Sequence, residues 1–148
     1  MPNTESQTTP APTLHFVVVM LEHGGRFAAV PRLVKGEVKG FEFPGGKVEK
    51  DEAVEVAMVR EVFEETGLRV CDPVQIDEFR WADRDDQYVT KRVRVTHLFR
   101  ATLDPHTYPE GPPPMEHGAR WMTPAELRET SLASRVLDRR LAIYAASL

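Results

Sequence analysis

The sequence predicts an α/β fold: an α/β/α sandwich on a mixed β-sheet, with a loop–helix that carries the chemistry. Three observations predict it. Apolar, β-branched segments of strand length recur from Leu14 to Met122. One helix-length segment, Asp51 to Gly67, interrupts them, and two more helix-forming segments follow at the end. A sheet must be covered on both faces, and a middle helix with terminal helices supplies that cover. At 148 residues the chain suits one domain with one substantial core.

Each element has a local reason. Residues 1–13 are rich in Thr, Pro, Ser, Asn and Gln and are expected to be a disordered tail, with the domain spanning 14–148. Leu14 to Leu21 is a continuous apolar run, broken by His15, that suits a strand buried on both faces. His23-Gly24-Gly25 turns the chain into a second strand, Arg26 to Val34, where Pro31 marks an edge or bulge. Lys35 to Gly40 reads as a polar loop before the short extended stretch Phe41 to Phe43. Asp51 is a good N-cap for the middle helix, and Gly67 stands where a left-handed C-cap is wanted. Val56, Val59 and Phe63 share one arc and are expected to form its core stripe.

Beyond the helix, Val74 to Trp81 and Tyr88 to Leu103 read as two antiparallel strands joined by the turn Ala82 to Gln87. Asp104 to Pro114 is a Pro- and Gly-rich loop, expected to be a flap or an exposed connection. Ala119 to Met122 is a short strand, and Thr123-Pro124-Ala125-Glu126 forms a capping box that opens a helix. The last helix, Ser134 to Ala146, places Val136, Leu137, Leu141 and Tyr144 at packing intervals, and Trp121 is expected to pack on the last helices.

Composition excludes several classes. The hydrophobic fraction of 41% and charged fraction of 28% are those of an ordinary globular protein. A net charge of −4 gives no electrostatic trap for a nucleic-acid polymer. Cys71 stands alone, so neither an internal disulfide nor a cysteine zinc cage is expected, and a reducing compartment is the simplest setting. Phe16 to Leu21, the longest apolar run, is far shorter than the roughly 20 residues a membrane helix needs. The N-terminus lacks the pattern of a secretory signal. The expectation is a cytoplasmic protein with no membrane partner, monomeric or homodimeric.

The chemistry concentrates in Gly46 to Leu68. Glu61, Glu64 and Glu65 sit at i, i+3 and i+4, within an arc of about 100° on one helix face. Like charges at that spacing repel, so a divalent cation is the natural complement. A solvated surface with Arg60 paired to Glu64 is the plainer reading of the same residues.

The wider pattern decides between them. Gly46, Glu52, Arg60-Glu61, Val62, Glu64-Glu65, Gly67 and Leu68 fill every fixed position of a 23-residue signature. On these residues the chain resembles the Nudix hydrolase family, and the string EFPGGKVE at 42–49 looks most like its MutT-type branch. The resemblance extends through Trp121 and Glu126-Leu127, over most of residues 14–145. It implies Mg²⁺-dependent hydrolysis of a nucleoside diphosphate linked to another group, with Mn²⁺ as a substitute. It also implies that Glu61, Glu64, Glu65 and the Gly45 carbonyl are metal ligands, with Glu52 and Arg60 orienting the helix. At Lys50-Asp51-Glu52-Ala53 the chain departs from relatives, which often carry Gly before this glutamate and Ser or Thr after it. The loop and cap are therefore expected to be built differently there.

Hard divalent ions prefer oxygen ligands, neutralise phosphate and activate water. A carboxylate can take that water's proton: Glu61 or Glu65 from the helix, or Glu110 or Glu116 from the later loop. Phe27, Arg32, Phe43, Lys47 and Tyr88 are candidate substrate contacts, each with an ordinary core or surface alternative. His15 is expected to be structural, and His97, His106 and His117 lack zinc spacing. Lys91, Arg92, Arg94 and Arg100 read as a solvent-facing basic strip. The leading expectation is hydrolysis of a nucleoside or deoxynucleoside triphosphate, including oxidised purine forms, to the monophosphate and pyrophosphate. The alternatives are a hydrolase of another nucleoside diphosphate derivative (ADP-ribose, a dinucleoside polyphosphate, a nucleotide sugar) and a non-catalytic nucleotide sensor.

Overall fold

The computed structural model describes residues 13–82, 93–130 and 134–148. In chain order its elements are β1 (Leu14–His23), β2 (Arg26–Val34), β3 (Glu37–Glu42), β4 (Gly45–Lys47), α1 (Val54–Thr66), β5 (Val70–Ala82), β6 (Val93–Leu103), β7 (Arg120–Met122), α2 (Pro124–Thr130) and α3 (Ser134–Ser147). The sheet runs β3-β2-β1-β6-β5, with β4 beside β1 and β7 beside β2. β1 and β6 are parallel, whereas the other pairings are antiparallel, so the sheet is mixed.

β1 is the spine of the sheet. Its first half lies between β6 and β4, and its last two residues pair with the start of β2. Successive side chains of a strand point to opposite faces, which divides this apolar run between two cores. Val17, Val19 and Leu21 pack with Ala57, Met58 and Val62 of α1. Met20 and Val18 pack on the other face with Leu98, Leu127 of α2, and Leu137 and Leu141 of α3. The architecture is the expected α/β/α sandwich.

Helix α1 departs from expectation at its start and on its inward face. Asp51 is not the N-cap. It adopts the left-handed conformation with φ 62°, and Ala53 takes the N-cap position with no side-chain hydrogen bond. The C-terminus is as expected: Gly67 has φ 78° and its N–H donates to the Phe63 carbonyl at 2.9 Å. The stripe Val56, Val59 and Phe63 faces outward, and the buried residues are Ala57, Met58, Val62 and Thr66. Apolar residues lie on more than one arc of α1, so hydrophobicity alone leaves its rotation open. The small side chain of Ala57 lets the helix approach β1 closely, and polar ties to the preceding loop fix the roll.

Other differences are local. Lys35 to Gly40 is not a loop: Lys35 and Gly36, at φ 52° and 80°, make a turn, and β3 pairs back on β2 with the bulge falling between Pro31 and Leu33. β5 begins at Val70 rather than Val74. The expected turn at 82–87 and the strand start at Tyr88 lie, apart from Ala82, outside the described residues, as does the expected tail apart from Thr13. The capping box forms, with Glu126 N–H donating to Thr123 Oγ1 and Thr123 N–H to Glu126 Oε1. In α3 Leu137 and Leu141 are buried, while Val136 is exposed. Trp121 packs on the α1 side, near His23, rather than on the last helices. Arg100 is not a solvent-facing cation: it donates to the Ser147 carbonyl at the end of α3. No helix among the described residues is long and apolar enough to cross a membrane.

Candidate active site

The site is assembled where β4 and the loop after it meet α1. β4 lies against β1 with Gly45 opposite Val18 and Gly46 opposite Val17. A Cβ on residue 45 would stand 2.2 Å from the Val17 carbonyl oxygen, so only glycine permits this approach of two backbones. Val19 N–H donates to the Pro44 carbonyl and Val48 N–H to the His15 carbonyl, which clamps both ends of the turn onto the central strand.

Arg60 joins the loop to the helix. Its Nε and one terminal nitrogen fork onto Glu52 at 2.7 and 2.9 Å, and the same terminal nitrogen reaches the Lys47 carbonyl at 3.0 Å. The other terminal nitrogen donates to Glu61 at 2.9 Å and Glu64 at 3.1 Å. Glu52 in turn accepts from Glu49 N–H at 3.1 Å. These bonds hold the Glu52 carboxyl down at about 2, chiefly through Arg60, and push Arg60 further up through Glu52. The pair stays ionised across the working pH range.

Glu61 and Glu65 lie together at the inner end of this network. Burial first, and then the Glu61 charge, push the Glu65 carboxyl up to about 8, against the opposing effect of the Gly45 backbone N–H. A carboxyl raised in this way keeps its proton until a cation takes its place. Gly46 leaves room for the pair: a Cβ there would stand 2.5 Å from the Glu61 carboxyl. Among the described residues no three acidic, imidazole or thiol groups form a finished cation cage. Glu64 accounts for that, since its carboxylate is half exposed and turned to Arg60. The donor set nonetheless fits a hard divalent ion: two adjacent carboxylates and a third one turn away, with the one cation beside them, Arg60, shared among Glu52, Glu61 and Glu64.

The remaining sequence candidates disperse. Phe27 is buried in the α2–α3 core, edge-on to Phe43 and Tyr144, and is a packing residue. Phe43 is also buried, but it lines a cavity beside Gly45. Arg32 is exposed at the β2 bulge, and Lys47 contributes its carbonyl while its side chain is exposed. Glu110 is exposed on the loop after β6. Glu116 packs over Gly67, its N–H donating to the Thr66 carbonyl, which places it at the end of α1. Tyr88 lies outside the described residues. The loop itself is pinned, with Tyr108 Oη accepting from Arg69 N–H at 3.0 Å. His15 and His97 pair at 3.0 Å, with Gln75 on the far nitrogen of His97, and burial lowers the His97 pKa.

Sequence reasoning missed the cavity of about 210 Å³ next to the glycine turn, lined by Phe16, Glu42, Phe43, Arg94, Thr96 and Arg140. One signal was available: Arg140 follows the buried Leu137 by three positions, on the core-facing stripe of α3, where a cation is unusual.

The chain matches the NUDIX domain family over residues 11–141. It is 33% identical over 141 residues to a MutT-like protein of Streptomyces ambofaciens, covering 91% of this chain and 83% of that protein. It is 38% identical over 74 residues to a Proteus vulgaris protein named 8-oxo-dGTP diphosphatase, covering 49% of this chain and 64% of that relative. Its fold resembles the NUDIX domain of Shewanella oneidensis NrtR, solved with ADP ribose, at a TM-score of 0.68 and 18% identity over the whole of both chains. A loop–helix pinned by Arg60, a sandwiched mixed sheet and a family match over nearly the whole length agree: the chain belongs to the Nudix hydrolase family.

Proposed function

We propose that the protein hydrolyses a nucleoside or deoxynucleoside triphosphate, including oxidised purine forms, to the monophosphate and pyrophosphate, with Mg²⁺ as cofactor. The observation that carries this is the Glu61–Glu65 pair, two carboxyls in contact beside a glycine turn, whose nearest cation, Arg60, is shared among Glu52, Glu61 and Glu64. Two relatives, named MutT-like and 8-oxo-dGTP diphosphatase, support the substrate class. Glu61, Glu65 and the Gly45 carbonyl would hold the ion, joined by Glu64 once it turns from Arg60. When bound, Mg²⁺ neutralises phosphate charge and lowers the pKa of coordinated water. Arg60 and Glu52 keep the helix in register with the loop, so that the acidic pair meets the diphosphate in one orientation. Water adds to phosphorus, the bond to the pyrophosphate oxygen breaks, and the water proton passes to a carboxylate of the pair.

A nucleotide panel with Mg²⁺, scored for inorganic phosphate with and without added pyrophosphatase, tests this reading. Phosphate that appears only with pyrophosphatase is the expected result. Direct phosphate release, or turnover of ADP-ribose or dinucleoside polyphosphates in place of triphosphates, would replace it.

A further inference from the structure

Strand β3 leaves one edge of the sheet open. It is the first strand in the order β3-β2-β1-β6-β5, and among the described residues it pairs with β2 alone. Glu37, Val38 and Lys39 at its start are all exposed. The two-residue turn at Lys35 and Gly36, both left-handed, closes on the pair Val34–Glu37. In such a hairpin the pair next to the turn exchanges backbone hydrogen bonds, and the following residue points its own away. The N–H and C=O of Val38 therefore face outward, with no strand among the described residues to meet them.

The side chains along that edge are arranged for a partner. Val38 stands opposite Leu33 of β2, so the two share one sheet face, where they are 55% and 62% exposed. Glu37 and Lys39 lie on the other face, joined by an ion pair of 2.9 Å that leaves both side chains substantially in solvent. A lysine on an edge strand ordinarily discourages pairing with another chain. Here a glutamate two residues away can answer it, and only one alignment of two such edges lets it do so.

We propose that β3 is a self-association edge, pairing antiparallel with β3 of a second copy of this chain about a two-fold axis through Val38. In that register Val38 meets its own copy, and each donates its N–H to the other's carbonyl. Glu37 of each chain falls opposite Lys39 of the other, at the positions where side chains across a ladder approach most closely. On the other face Leu33, Val38 and their copies form one apolar row across four strands. Neighbouring registers lose this fit: a two-fold through Glu37 sets glutamate against glutamate, and one through Lys39 sets lysine against lysine. The contact is short, so the dimer is weak and concentration-dependent, smaller than the interfaces of permanent assemblies.

The test is sedimentation velocity on the full chain over a series from micromolar to near-millimolar concentration, with melting curves to check that each variant is folded. Wild type should pass from monomer to dimer along the series. Lys39→Glu and Glu37→Lys should each weaken association roughly tenfold or more, because like charges then face each other at both pairs. Mixed one to one, the two variants should associate again, since the acidic edge of one meets the basic edge of the other. Val38→Pro removes the outward N–H, which the pairing with β2 does not use, and should also weaken association. A wild-type chain that stays monomeric throughout the series overturns the proposal. A dimer that persists in Lys39→Glu and Val38→Pro does so too, because another surface then makes the contact. The register fails if the mixture associates no more than either variant alone.

Discussion

Gly46 makes room for the Glu61 carboxylate: a Cβ at position 46 would lie 2.5 Å from both of its oxygens. The clash is with the movable end of a side chain, so Gly46→Ala should displace Glu61 and keep the fold. Activity is expected to fall at least a hundredfold with little change in melting temperature. Gly45→Ala meets the Val17 backbone oxygen instead, at 2.2 Å, and should lower the melting temperature strongly because the strand itself must move. Comparable stability of the two variants would contradict this account.

Arg60→Lys keeps the charge and loses the fork onto Glu52. One ammonium cannot serve Glu52, Glu61, Glu64 and the Lys47 carbonyl together. Stability should drop measurably, because the forked bonds that tie the loop to the helix are lost. The rate should drop by orders of magnitude. Denaturant titration paired with kinetics checks both; a variant with wild-type stability would show that the fork is dispensable.

The Glu65 carboxyl, raised from 4.5 to about 8 by burial and by Glu61, makes metal binding and proton release one event below that pH. Apparent Mg²⁺ affinity should rise with pH up to about 8, by at most about tenfold per unit, then level off. Calorimetry in buffers of different ionisation enthalpy reads the released proton. For the metal-free protein the sign runs the other way. A folded state that holds the proton more tightly than the unfolded state loses stability as pH rises from about 4.5 to about 8. Glu65→Gln should abolish that decline along with activity, and Glu64→Gln should also lose activity by orders of magnitude without touching the decline.

The start of α1 can be improved. Asp51 spends energy in the left-handed region, and Ala53 caps the helix with no side-chain acceptor. Ala53→Ser should stabilise the protein by about 1 kcal/mol, and Asp51→Gly by several tenths, each read as a higher denaturation midpoint. No gain from either would mean that the loop supplies the missing acceptor by another route.

The ease of reading followed how local each feature is. The signature residues, the Gly67 cap and the Thr123–Glu126 box are set by neighbours a few positions apart, and all were legible. The rotation of α1 was not, because Val56, Val59 and Phe63 form as convincing a stripe as Ala57, Met58 and Val62. The choice depends on Arg60 reaching a loop eight residues upstream and the carbonyl of Lys47. Met58→Ala should therefore cost about 2–5 kcal/mol, against under about 1 kcal/mol for Phe63→Ala, a residue 45% exposed. Arg140 was hidden for the same reason: its meaning comes from Glu42 and the glycine turn, nearly a hundred residues away in sequence and adjacent in space.

The bonds from Val19 to Pro44 and from Val48 to His15 tie the glycine turn to the central strand of the sheet. β3 and β5 are the edge strands and β1 lies at the centre, so opening of β1 is expected to need more of the sheet to come apart than opening of an edge. In deuterated solvent the Val19 and Val48 amides should rank among the slowest to exchange, alongside the core. The proposed site is thus expected to be among the last parts to melt, and a denatured fraction and an inactive fraction should rise together.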